Sequence, residues 1–181
     1  MKELSLNILD IAENSVKAGA SLVRIELYET AERLTISISD DGCGMSEEVC
    51  RQVTDPFYTT RTTRNVGMGI PLFKMSAEQT GGSFSIVSKE KSAGEGHGTK
   101  TQAKFNKNHI DFTPLGDVVA SITTLIQGHP DTDFYFCHEM GEKKVVLDTR
   151  EVRQVLGDEV PLCEYEVIKW IEEFLKEQYN L

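Results

Sequence analysis

Asp10 and Asn14 stand four residues apart in a segment of helical spacing, so a carboxylate and a carboxamide share one face, one turn from each other. An amide oxygen is a hard, neutral ligand, suited to a magnesium ion that already shares phosphate oxygens. A carboxylate one turn earlier can orient or deprotonate an attacking water. A second group, Asp40-Asp41-Gly42-Cys43-Gly44, follows directly on a strand pattern. A carboxylate there can accept a hydrogen bond from an exocyclic amine such as that of adenine, and the glycines let backbone approach a flat base. Third, Gly67-Met68-Gly69 precedes a helix at Pro71, and amides at a helix start form an anion site. Arg61 and Arg64 lie just upstream, where they could neutralise a triphosphate. Fourth, Gly96-His97-Gly98-Thr99 enters a strand; alone it reads as a hairpin turn.

These residues need elements to hold them. Leu4, Ile8 and Ile11, with Ser15 on the same face, predict a helix over residues 4–17, which Gly19 ends. Val23, Ile25 and Leu27 alternate with polar residues, as do Leu34, Ile36 and Ile38; the short link at 29–32 predicts an antiparallel pair. Ser46 can cap a short helix. Residues 54–69 read as a mobile, threonine-rich loop. A helix over 71–79 and strands over 83–87 and 99–105 follow. The pattern then restarts, with a boundary at 106–108. Beyond it come a helix over 115–126, a hairpin around Gly141, and helices over 149–156 and 165–178, the last with Val167, Ile168, Ile171, Phe174 and Leu175 as its apolar stripe.

The whole chain of 181 residues has a formal net charge of -10, which argues against a nucleic-acid coat or a membrane-surface role. No early apolar run reads as a signal peptide and no stretch is long enough to span a bilayer. Cys43, Cys50, Cys137 and Cys163 form no C-x-x-C pair, so a reduced, cytoplasmic protein is expected.

In order, the motifs DIAENSVKAGA (10–20), DDGCGM (40–45), DPFYTTR (55–61), GMGIPL (67–72) and GHGT (96–99) resemble the boxes of the GHKL ATPases, the superfamily of gyrase, heat-shock chaperones, MutL and histidine kinases. The resemblance covers about the first 105 residues. It implies an α/β (α+β) Bergerat fold: a two-layer sandwich of mixed, mainly antiparallel sheet and helices, here with a small α/β C-terminal appendage. It implies ATP and Mg2+ as cofactors. Asn14 would bind magnesium, Asp40 the adenine amine, and Gly42 and Gly44 would shape the pocket. Gly67 and Gly69 would meet the phosphates, Thr99 would bond near the base, and Lys17 would reach toward phosphate. Met45 and Met68 fall in the same motifs and count with the nucleotide-binding set.

The start of the chain looks like MutL, whereas the middle, with its short lid, looks like a histidine kinase. In the ATPase branches a glutamate stands four residues before the magnesium asparagine; here that position is Asp10, the candidate catalytic residue, with Glu13 as a rival that, being adjacent to Asn14, points about a hundred degrees away from it. The first motif starts almost at Met1, so the phosphoacceptor domain that precedes it in a complete histidine kinase is expected to be missing. The resemblance therefore implies a kinase acting in trans, or an ATP-gated regulator, on a separate protein partner or phosphoacceptor. The alternative is a slow ATP hydrolase of the MutL or gyrase type using Asp10 as base. Residues 1–106 would form the ATP-binding domain, and 107–181 would dock a partner or form a homodimer. No nucleic-acid or membrane partner is expected.

Overall fold

The alternating segments become strands and pair as their apolar faces require. In the computed structural model, which describes residues 3–55 and 68–181, β1 (Leu22–Glu29) and β2 (Arg33–Asp40) run antiparallel, with Ile25 opposite Ile38 and Leu27 opposite Ile36. β3 (Ser83–Lys89) and β4 (Gly98–Asn106) form a second hairpin, and β4 lies along β2. β5 (Asp133–Met140) and β6 (Lys143–Asp148) form a third, turned at Gly141 with φ +63. β5 then docks parallel to β1, from Leu22 opposite Asp133 to Glu29 opposite Met140. The result is one mixed, mainly antiparallel sheet in the order β3-β4-β2-β1-β5-β6. The C-terminal α/β region is joined to the rest through the sheet itself.

Helices α1 (Leu4–Lys17), α3 (Gly69–Gln79), α4 (Val118–Gly128) and α6 (Tyr165–Tyr179) form the second layer, side by side in the order α3, α1, α4, α6. Leu4, Ile8 and Ile11 of α1 bury against Val23, Ile25 and Leu27 of β1 and their neighbours in one apolar core. Burial of each such side chain contributes roughly 1.5–3 kcal/mol. The short helices α2 (Glu47–Gln52) and α5 (Thr149–Leu156) lie in the connections. Ser46 caps α2 through its hydroxyl, as its position predicts.

Two helices start elsewhere than the sequence pattern suggests. α3 begins at Gly69 rather than Pro71, because proline in a first turn lacks only an N–H that needs no intrahelical acceptor. α4 begins at Val118 rather than at Leu115. Gly116 sits at φ +75, and the Asp117 carboxylate caps the Ala120 N–H at 2.9 Å. The freed segment serves α1 instead. Glu3 provides no side-chain cap there; the Leu4 and Ser5 N–H groups donate to the carbonyls of Pro114 and Leu115 at 2.9 and 2.8 Å.

A buried polar chain crosses from β1 to α6. His138, 2% exposed at its side chain, places Nε2 2.9 Å from Glu29 Oε2 and Nδ1 2.7 Å from the Tyr179 hydroxyl. Lys107 donates to the other Glu29 oxygen at 2.6 Å. A neutral imidazole satisfies this chain, donating to Glu29 and accepting from Tyr179. Burial holds His138 below its ordinary value of 6.5, although Glu29 pulls the other way. A depressed histidine leaves the unfolded chain binding more protons, so stability is lost as pH falls from about 6.5 toward the folded-state value. Melting temperature is therefore expected to fall between about pH 7 and pH 5.5, and His138→Phe should flatten that slope. Glu29, held below its ordinary 4.5 against the effect of burial by Lys107 and His138, loses its share only at lower pH. A slope unchanged by His138→Phe would overturn the assignment.

Candidate functional site

β2 ends at Asp40, whose side chain is held from three directions. Its Oδ2 accepts the Ser15 hydroxyl of α1 at 2.6 Å. Its Oδ1 accepts the N–H of Gly42 at 3.0 Å and of Thr99 at 3.2 Å. The neighbouring carboxylate turns the opposite way. Asp41 accepts the N–H groups of Ser21 and Leu22 at 2.8 and 2.9 Å, together with the Ser21 hydroxyl. Burial would raise the Asp41 carboxyl, but these bonds outweigh it and hold it below its ordinary range. Asp41 thus pins the start of β1 to the turn, and Asp40 faces α1.

The rest of the turn is clamped by backbone. Cys43 donates its N–H to the Ala18 carbonyl at 2.9 Å, and Lys91 donates to the Cys43 carbonyl at 2.8 Å. Gly44 sits at φ +69, and a Cβ there would lie 1.9 Å from the Lys89 carbonyl oxygen. At Gly98, φ +128, a Cβ would lie 1.9 Å from the Asp40 carbonyl oxygen. Both positions exclude a side chain by sterics as well as by dihedral. Ser88 ties the layers together: its Oγ accepts the Met45 N–H at 2.8 Å, donates to the Gly98 carbonyl at 3.0 Å and lies 2.8 Å from Thr99 Oγ1. His97 donates through Nδ1 to the Gly42 carbonyl at 2.6 Å.

These contacts frame a cavity of about 390 Å³. Asn14, Lys17, Asp40, Gly44, Met45 and Thr99 line it, with Ile11, Ala18, Val49 and Ile70 as apolar walls. Gly42 supports the turn, since a Cβ there would lie 3.0 Å from that of Ala18. Asp10 lies outside the lining and beside the start of α3, where a Cβ added at Gly69 would come within 3.2 Å of its own. Burial raises the Asp10 carboxyl above its ordinary range, Lys17 opposes this and Glu13 adds to it. Glu13 itself is engaged elsewhere, 2.7 Å from His129 Nε2 at the end of α4. Met68 is largely exposed at the head of α3. Gly67, Arg61 and Arg64 lie outside the described residues.

Sequence reasoning missed Ser15 and Ser88 as supports of the site. Ser15 had a signal: it is the polar exception on the apolar stripe of α1. Ser88 had none, being an ordinary residue near a strand end. Chemically, the cavity offers an apolar slot with a fixed carboxylate and a hydroxyl at one side. That suits a flat heterocycle bearing an N–H donor. Along α1, Asn14 adds a hard oxygen and Lys17 a cation.

The family described as "Histidine kinase-, DNA gyrase B-, and HSP90-like ATPase" matches residues 1–109. Sporulation kinase C of Bacillus subtilis is 30% identical over 96 residues, 53% of this chain and 21% of that protein. Sensor protein KdpD of Clostridium acetobutylicum is 30% identical over 94 residues, 49% of this chain and 10% of KdpD. The chain therefore spans about a fifth or less of these two curated relatives. Among solved structures, the Aquifex aeolicus MutL ATPase domain complexed with ADP superposes with a TM-score of 0.58 at 15% identity, over 86% of this chain and 69% of that one. That likeness is one of fold, the Bergerat fold, and it extends beyond the first 109 residues into the C-terminal region.

Proposed function

The chain belongs to the histidine kinase-, DNA gyrase B-, and HSP90-like ATPase family, and from that premise we propose that it binds Mg-ATP as a histidine-kinase-like protein acting on a separate protein partner, as a kinase in trans or an ATP-gated regulator. One observation supports the nucleotide part of this reading: the Asp40 carboxylate, fixed by Ser15, Gly42 and Thr99 at the side of an apolar slot. The adenine amine would donate to Asp40, and the base would lie between Ile11, Ala18 and Ile70. Thr99 would bond near the base. Asn14 would hold magnesium together with phosphate oxygens, supplying charge neutralisation to the phosphates. Lys17, Met68, Gly69 and, on the motif alone, Gly67 would meet the phosphate end.

A partner as acceptor is supported by the state of the chain's own histidines. His138 is buried between Glu29 and Tyr179, His129 is paired with Glu13, and His97 is bonded to the turn. His109 holds the Asp111 N–H at 3.1 Å. In this reading residues 1–106 bind ATP, and residues 107–181 serve docking or dimerisation.

Cys43 is exposed and lines the cavity, so it is a built-in probe. Saturating Mg-ATP is expected to slow its alkylation by iodoacetamide severalfold, read by peptide mass spectrometry, with Cys163 as the control outside the cavity. An unchanged Cys43 rate would misplace the site. With γ-labelled ATP, label should then appear on a partner protein. Release as free phosphate alone would favour the second reading, slow hydrolysis with Asp10 as base, which the position of Asp10 one turn before Asn14 supports.

A further inference from the structure

β6 is the outer strand of the sheet at the end opposite β3. An outer strand presents backbone donors and acceptors along its free side, a template for another strand. At Val146 that template is filled by a side chain. Gln178 of α6 accepts the Val146 N–H through Oε1 at 2.9 Å and donates through Nε2 to the Val146 carbonyl at 3.0 Å. A carboxamide in this pose supplies the donor and acceptor that a peptide of a neighbouring strand would supply.

Beside this contact an apolar groove of about 750 Å³ runs between β6, α5 and α6. Val155, 88% exposed, and the stacked pair Trp170 and Phe174, ring centroids 5.0 Å apart, form its walls. Its charged lining is entirely acidic: Asp148, Glu151 and Glu166. Arg150 answers Asp148, which leaves Glu151 and Glu166 to set the sign of the rim.

We propose that this groove receives an extended segment of a separate, basic protein, which adds as a strand along β6 by displacing the Gln178 carboxamide. Alternate apolar side chains of the segment seat on Trp170 and Val155, and its lysines or arginines lie beside Glu151 and Glu166. Charge selects this occupant over a second copy of the chain. A copy would bring one acidic rim against another on a protein of net charge -10. The inference stands apart from the nucleotide reading: it uses no residue of the ATP cavity, and its test contains no ATP.

Trp170 is the single tryptophan of the chain, so intrinsic fluorescence reports on this groove. The full chain is titrated with a synthetic peptide of about ten residues alternating valine and lysine, with its valine–glutamate counterpart, and with a helix-locked peptide of the first composition. The extended lysine peptide is expected to shift Trp170 emission saturably, at least about tenfold more tightly than the glutamate peptide. Val155→Lys, at an exposed position that leaves the fold intact by circular dichroism, should weaken it about tenfold. Gln178→Ala should tighten it roughly threefold to tenfold, because no carboxamide then has to be displaced. Four results would each overturn the proposal: no shift with the lysine peptide, equal binding of both signs, tighter binding of the helical peptide, or an emission change that tracks self-association in sedimentation.

Discussion

On the second reading, slow hydrolysis with Asp10 as base, Asp10→Asn is expected to lower ATP turnover by about two to four orders of magnitude, the usual contribution of a positioned general base, while ATP affinity stays within about threefold. The substitution keeps the shape of the side chain and removes its ability to take a proton. Affinity is spared because Asp10 lies outside the cavity lining. The pH profile carries a second readout. Burial raises the Asp10 carboxyl, so its basic form is lost at a higher pH than for an ordinary aspartate. Turnover of the unsubstituted protein should fall on acidification through that point, and the residual activity of Asp10→Asn should not. Glu13 does not stand in, because its carboxylate is engaged 2.7 Å from His129 Nε2. Glu13→Gln should leave turnover within about twofold, well short of the effect of losing a base. Turnover unaffected by Asp10→Asn would remove Asp10 from the chemistry and leave binding or transfer without it.

Asp40→Ala is expected to weaken ATP binding roughly tenfold to a hundredfold, the equivalent of about 1.5–3 kcal/mol for a charged hydrogen bond. The loss has two sources. The adenine amine loses its acceptor, and the Ser15 hydroxyl and the Gly42 and Thr99 N–H groups lose theirs. Calorimetry with ATP and ITP separates them. ITP carries a carbonyl where ATP carries the amine, so the unsubstituted protein should prefer ATP, and Asp40→Ala should erase most of that preference. If ATP affinity were unchanged, the base would bind elsewhere.

The paired strands and the Asp40 turn were legible because period-two alternation and clustered glycines are local signals. Sequence treats Asp40 and Asp41 as one acidic turn. In the structure successive side chains leave the strand on opposite sides, so one enters the cavity and the other fastens β1 to it. The false start of α4 has a similar origin: Leu115 extends the apolar pattern, but Gly116 in a left-handed conformation breaks the helix before it. The parallel docking of β5 on β1 was not legible at all. A parallel pair is joined by a long crossover, and nothing near either strand marks its partner. The Gln178 contact was equally invisible, since it depends on how α6 lies against β6.

That parallel pair also has a consequence for how the chain is made. β1 leaves the ribosome early, yet Leu22 finds its neighbour only at Asp133. At roughly 5–20 residues per second, a central strand waits on the order of five to twenty seconds with one side bare. The same delay leaves the first amides of α1 without the carbonyls of Pro114 and Leu115. A nascent chain halted before β5 thus holds four of the six strands with the side of β1 bare, and the protein's yield in the cell should respond to translation speed and to chaperones that shield β1.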